Sequence, residues 1–279
     1  MYTISNVVTE LVDMRLSIDE AFSYLQHSRS IAAKCYEISG NRVRMNVDCL
    51  AKEAQRRFGR LQRVDKSVPE PTTALRYVAA SVPGAVAAIN TYYMEKRGEL
   101  NNEIMILEGP GGVGKSSFAF WLAEIYGGEV LTSEDEIVES IRRLFSENKW
   151  IPVLVLDDVA AIVSKYWFMD REEKRWSHFF KLIEYMKDIS GMVLVTARSF
   201  DGVARRLREL SGLQGTMKRV VYAKSYIFDI IEWKRPGKKT VEYVDVLWPG
   251  LRMPEHHWNR IMSVRRSRAL RLLDKMIEG

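Results

Sequence analysis

The pattern of apolar and polar positions changes character near residue 103. Residues 1 to about 65 read as helical. Ser17 is placed to cap a helix over 18–28, and Asn46 or Asp48 to cap another that runs to residue 61. Gly40-Asn41 marks a turn between those helices. Pro69 and Pro71 make 66–73 a linker, and a further helix is expected over 84–96. From Glu103 onward, short apolar runs at 104–107, 129–131, 153–156 and 192–195 alternate with helical segments over 116–125, 134–146 and 171–188. Unbroken runs rich in branched residues are what strands buried on both faces look like, and such strands belong to parallel sheets. The alternation predicts a doubly wound α/β core of right-handed strand–helix–strand units. After Gly212 the stretches 219–223, 227–233 and 240–246 read as antiparallel strands, the last two flanking the turn Lys234-Arg235-Pro236-Gly237. A final helix follows Pro254, with Trp258, Met262, Ala269, Leu272 and Met276 as its apolar stripe. The expected segments are a helical 1–65, a linker and helix over 66–102, the core over 103–212, and a basic hairpin with a terminal helix over 213–279.

Composition changes this picture little. At 47% hydrophobic and 28% charged residues, the chain is an ordinary globular one, which excludes a wholly disordered protein. The most apolar stretch, 78–89, is interrupted by Pro83 and too short to cross a bilayer, and the first six residues lack the basic start of a secretory signal. No membrane contact and a cytoplasmic location are expected. Cys35 and Cys49 match no metal-ligand spacing and read as idle thiols.

Charge changes it more. The formal charge is +6, yet residues 202–279 carry 17 Lys/Arg against 8 Asp/Glu. A basic excess confined to one segment suits contact with nucleic-acid phosphates. Arg265, Arg266, Arg268, Arg271 and Lys275 on the last helix are candidates for such contacts, and so is the Arg56, Arg57, Arg60 and Arg63 cluster. Both sets also read as solvated helix faces. His256 and His257 belong to the first turn of the last helix rather than to a metal site.

The chemistry lies between them. Gly109-Pro110-Gly111-Gly112-Val113-Gly114-Lys115-Ser116 fits the pattern GxxxxGK[ST], between an expected strand and an expected helix. Glycines let backbone N–H groups wrap phosphates, and the helix N-terminus, with Ser117 in its first turn, adds positive potential. Lys115 is expected to reach the β- and γ-phosphates, and the Ser116 hydroxyl to ligate Mg²⁺. ATP and magnesium are the implied cofactors. The apolar run 153–156 ends in Asp157 and Asp158. Asp157 is placed to hold the metal, and Asp158 is the candidate base for the attacking water. Thr196, at the end of the run 192–195, is expected to help orient that water.

From residue 103 to about 212 the chain resembles the AAA+ P-loop core of the replication-initiator DnaA and helicase-loader DnaC group. The likeness is carried by the Asp157-Asp158 pair, by Val130-Leu-Thr-Ser-Glu-Asp-Glu-Ile-Val-Glu139, and by the segment 179–186 leading into Met192-Val-Leu-Val-Thr-Ala-Arg198. The resemblance implies ATP-driven assembly on DNA, in replication initiation or helicase loading, as a homo-oligomer with ATP sites at its interfaces and a protein partner such as a helicase. It also implies an arginine donated to the neighbouring subunit's ATP. Leu210 stands where that arginine aligns, and Arg206 or Arg208 is the candidate substitute. No helical lid with its own arginine is recognisable, and the terminal helix is shorter than an initiator's DNA-binding domain. In these departures the chain resembles ATPases of viruses and plasmids. A DNA-translocating or packaging motor and an ATP-gated regulatory protein are the alternative readings.

Overall fold

Leu154 and Leu156 point to one side of their strand and Val153 and Val155 to the other, and all four are buried. Such a strand needs helices on both of its faces, and that requirement sets the architecture. The computed structural model describes residues 35–39, 42–45, 47–58, 75, 77–99, 101–158, 181–222, 226–247 and 253–278. In chain order its elements are β1 (Tyr36–Ser39), β2 (Arg42–Met45), α1 (Val47–Phe58), α2 (Val82–Arg97), β3 (Glu103–Glu108), α3 (Lys115–Tyr126), β4 (Glu129–Leu131), α4 (Glu134–Ser146), β5 (Ile151–Leu156), β6 (Ser190–Ala197), α5 (Arg205–Leu210), β7 (Leu213–Tyr222), β8 (Tyr226–Lys234), β9 (Tyr243–Leu247) and α6 (Glu255–Glu278). The expected helix 18–28, the linker 66–73 and most of the helix 171–188 lie outside the described residues, as do Arg60 and Arg63.

Seven strands form one sheet in the order β4-β5-β6-β3-β7-β8-β9. The five strands from β4 to β7 are parallel neighbours, and β8 and β9 continue the sheet antiparallel. The fold is α/β, as the alternation predicts. Strand β7 is longer than the expected 219–223. Its first residues, Leu213–Thr216, pair parallel with β3, and the whole strand pairs antiparallel with β8. One face of the sheet packs Met105, Leu107, Val153 and Val155 against Phe118, Trp121, Leu122 and Ile125 of α3. The other packs Ile106, Leu154, Leu156, Val193 and Val195 against Ile137, Ile141 and Leu144 of α4. Each such side chain contributes about 1.5–3 kcal/mol on burial, so this sandwich supplies most of what holds the site in place.

Helix ends follow local chemistry. Ser133 caps α4 by accepting from the Glu136 amide, and three acidic residues in its first turn suit the positive end of the helix. Ser81 caps α2, and the left-handed Gly98 ends it. Asp245 on β9 accepts from the Val82 amide at 3.0 and 3.1 Å and from Trp233 Nε1 at 2.7 Å, which ties α2 to the antiparallel end of the sheet.

Two expectations change. Tyr36–Ser39 and Arg42–Met45 are paired strands, not part of a helical segment: β1 and β2 pair antiparallel from Tyr36↔Met45 to Ser39↔Arg42, and the expected turn Gly40-Asn41 lies outside the described residues. A Gly-Asn pair between four-residue runs is a hairpin signal, and here it outweighs helical propensity. Cys35 and Cys49 are not idle thiols but a disulfide, closed across this hairpin onto α1. The hairpin returns the chain so that the two sulfurs meet.

Candidate functional site

The phosphate loop sits between β3 and α3. Gly114, the α3 N-cap, has φ 103°, and Gly112 has φ 80°, conformations that favour residues without a Cβ. At Gly109 a Cβ would lie 2.6 Å from the Met217 carbonyl oxygen of β7, so only glycine lets the loop lie this close to the sheet. Lys115 Nζ donates to the carbonyls of Gly109 at 2.6 Å and Pro110 at 2.9 Å, folding its side chain over the loop. Burial holds its ammonium below the ordinary lysine range. Asp157 and Asp158 oppose that shift, while the positive charges of Arg198 and Arg265 add to it.

The acidic pair follows from strand order. Strand β6 lies between β3 and β5, and the pairing Leu156↔Val195 places Asp157 beside Thr196. Thr196 Oγ1 donates to Asp157 Oδ1 at 2.7 Å and accepts from the Asp158 amide at 2.8 Å. One hydroxyl therefore fixes both acidic residues. Asp157 is only 1% exposed, whereas Asp158 is partly exposed and sits in the left-handed region at φ 57°. That conformation is uncommon for anything but glycine, asparagine and aspartate, and it re-aims the chain directly after β5.

Arg265 of α6 reaches the same place. Its Nη2 donates to Ser116 Oγ at 3.3 Å and to Asp157 Oδ2 at 3.5 Å, and its Nε lies 3.8 Å from Asp158 Oδ2. The sequence puts this residue among contacts to nucleic-acid phosphates; the structure turns it into the loop–carboxylate site. Helix α6 docks through His257, Arg260, Ile261 and Arg265. His257 packs on Phe120 of α3, Arg260 donates to the Val130 carbonyl of β4 at 3.0 Å, and Ile261 is 1% exposed. His257, Ile261 and Arg265 are four residues apart and share one face. The expected stripe faces elsewhere, since Trp258 and Met262 are exposed.

A second arginine supports the loop from beneath. Arg219 on β7 pairs with Asp229 on β8 at 2.8 and 3.1 Å and donates to the Val113 carbonyl at 3.3 Å. Asp229 is fully buried, and burial raises its carboxyl above the ordinary range against the opposing pull of Arg219. Glu108, the last residue of β3, accepts from the Phe200 amide at 2.7 Å and Thr216 Oγ1 at 2.9 Å, pinning the strand end from which the loop departs.

Arg206 and Arg208 lie apart from all this. Arg206 pairs with Glu184 and lines a cavity of about 490 Å³ with Asn102, Glu103 and Gly212, at the end of β3 opposite the loop. Arg208 lies 3.7 Å from Asp201. Among the described contacts, neither touches the phosphate loop of its own chain.

The residues suit a magnesium–nucleotide pair. The loop offers backbone N–H groups and Lys115, and the Ser116 hydroxyl with the buried Asp157 carboxylate is the hard oxygen set that magnesium takes. That oxygen pair already attracts a positive group, the Arg265 guanidinium. Among the described residues, no cluster of three or more His, Cys, Asp or Glu is arranged to hold a metal, and no helix is long and apolar enough to cross a membrane.

No family model matches the chain, and no curated protein sequence matches it. Solved structures similar to it include the N-terminal domain of zonular occludens toxin from Neisseria meningitidis, at 12% identity and TM-score 0.34, covering 55% of this chain and 95% of that one. Another is a KaiC-like protein from the archaeon Pyrococcus horikoshii, at 12% identity and TM-score 0.33, covering 52% and 88%. Likenesses this distant say nothing of activity. A GxxxxGKS loop between β3 and α3, facing the carboxylates at the end of β5 across the β6 threonine, makes this a P-loop α/β fold.

Proposed function

We propose that the chain is a magnesium-dependent ATPase acting on DNA, of the initiator and helicase-loader type within the AAA+ group. The observation that carries the ATPase reading is the Thr196 hydroxyl, which holds Asp157 and Asp158 beside the phosphate loop in two different environments. The buried Asp157 and Ser116 would hold magnesium, which when bound screens the charge developing on the phosphates. Lys115 leaves the loop carbonyls for the β- and γ-phosphates. Asp158, the more exposed acid, takes the proton of the attacking water, while the Thr196 hydroxyl orients the Asp157 carboxylate and anchors the Asp158 backbone amide. The basic excess of residues 202–279 and the sequence resemblance support the DNA role. On this reading the protein assembles on DNA as a homo-oligomer, with Arg206 or Arg208 offered to a neighbour's site and a helicase as the loaded partner.

A second reading is an ATP-gated regulatory protein, favoured by Arg265, which links a separate helix to the nucleotide site. Phosphate release from ATP, measured with and without DNA and magnesium, separates the two. Turnover that requires magnesium and rises with DNA supports the first. Slow turnover indifferent to DNA supports the second, and no turnover under any condition overturns the ATPase.

A further inference from the structure

Helix α6 is bound to the rest of the molecule along only part of its length. From His257 to Arg265 it packs on α3, β4 and the acidic pair. Beyond Arg265, each residue whose side chain is described is exposed: Arg266, Ser267, Ala269, Leu270, Leu273 and Asp274. Arg265 is therefore the last tie between the helix and the core among the described residues, and its partners are Ser116 and Asp157.

Those partners decide what the tie means. A buried carboxylate such as Asp157 needs a positive or hydrogen-bonding neighbour to offset lost hydration. Thr196 satisfies one of its oxygens and Arg265 faces the other. A magnesium ion ligated by Ser116 Oγ and approaching Asp157 needs the oxygens that Arg265 now faces, at ligand distances of about 2.1 Å. Two positive groups cannot share that position. Each excludes the other, so metal–nucleotide binding and Arg265 docking are linked, and each weakens the other by the same factor.

We propose that Arg265 is a positioning residue of the nucleotide site, an internal cation that holds the Ser116–Asp157 position and yields it to the divalent metal arriving with the nucleotide. Loading the site then frees the α6 segment from residue 266 onward, and anything that draws α6 away favours loading. This inference rests on the P-loop reading of the site.

The test is calorimetric titration of the full chain with ATP, in magnesium and in EDTA, for the wild type and Arg265→Gln. Removing the competitor should tighten magnesium-dependent binding by about fivefold or more, the low end of ordinary coupling between sites. Binding in EDTA should not tighten. A damaged fold weakens binding, so only the loss of a competitor gives this gain, and Arg265→Lys, which keeps a cation, should return towards wild type. Amide hydrogen exchange gives an activity-independent readout. Residues 266–278 should exchange faster when magnesium and ATP are added to the wild type, and should already be fast in ligand-free Arg265→Gln. Equal or weaker magnesium-dependent binding by the variant, or unchanged exchange, overturns the proposal while the P-loop reading stands. A wild type that binds no ATP overturns both.

Discussion

The parallel half of the sheet and its antiparallel extension treat their charged residues in opposite ways. In β3 to β6 the strand interiors are apolar, with Glu103, Glu129 and Ser190 at N-terminal ends, and the polar groups of the site stand at or just past the C-terminal ends: Glu108, Asp157 and Thr196. In β7 to β9 the charges lie within the strands and pair across them, as Arg219 with Asp229 and Lys218 with Glu232 do. The first half builds a site at its rim. The second pairs charges within itself and sends Arg219 beneath the loop, while Arg265 of the following helix α6 lies over the carboxylates. Pairs inside residues 202–279 already cancel in its net charge, and Arg206, Arg260 and Arg265 offset the excess further by facing Glu184, Glu136 and Asp157 outside that segment.

The sharpest way to break the comparison is at the rim. Asp158→Asn keeps a residue that tolerates the left-handed backbone and removes only the base. Turnover should fall about 10²–10⁴-fold with ATP affinity retained. Unchanged turnover, measured as phosphate release, would move the base elsewhere. A smaller effect is expected beneath the loop. Asp229→Ala removes the buried partner of Arg219 and should cost about 1–3 kcal/mol in chemical denaturation, moderated because Arg219 is half-exposed. If stability is unchanged, the extension does not support the loop through this pair.

The remaining effect is a pH dependence in the extension itself. Burial pushes the Asp245 carboxyl up to about 7, opposed by the Trp233 and Val82 donors. The folded protein thus keeps a proton that the unfolded chain, at the ordinary 3.8, has released. This contribution is full below about 4, declines as pH rises, and is gone above about 7. Asp245→Asn cannot titrate and should flatten that part of the stability profile between pH 4 and 7. An identical slope in wild type and variant would remove Asp245 as its source.

How much of this was legible in the sequence follows from how local each signal is. The phosphate loop is contiguous, so its place between strand and helix could be read directly. The strand ends at Asp157 and Thr196 were visible as the ends of apolar runs, although their contact depends on β6 lying between β3 and β5. Helix α4 was legible to its boundaries because Ser133 and the acidic first turn mark its start. The Arg265 contact was not legible: 149 residues separate it from Ser116, and the apolar stripe Trp258–Met262 pointed to the wrong docking face. The Cys35–Cys49 bridge is not legible because it depends on the pairing of β1 with β2, while the sequence around Gly40-Asn41 reads as two helices.

The central claim is that residues 109–116 bind nucleotide with Lys115 as the phosphate cation, and equilibrium binding of ATP in magnesium to wild type and Lys115→Ala tests it most directly. The account predicts saturable one-site binding by the wild type, weakened about 100-fold or more in the variant by loss of a charge-assisted contact to the phosphates. Binding of equal strength by both proteins, or none by the wild type, would contradict it.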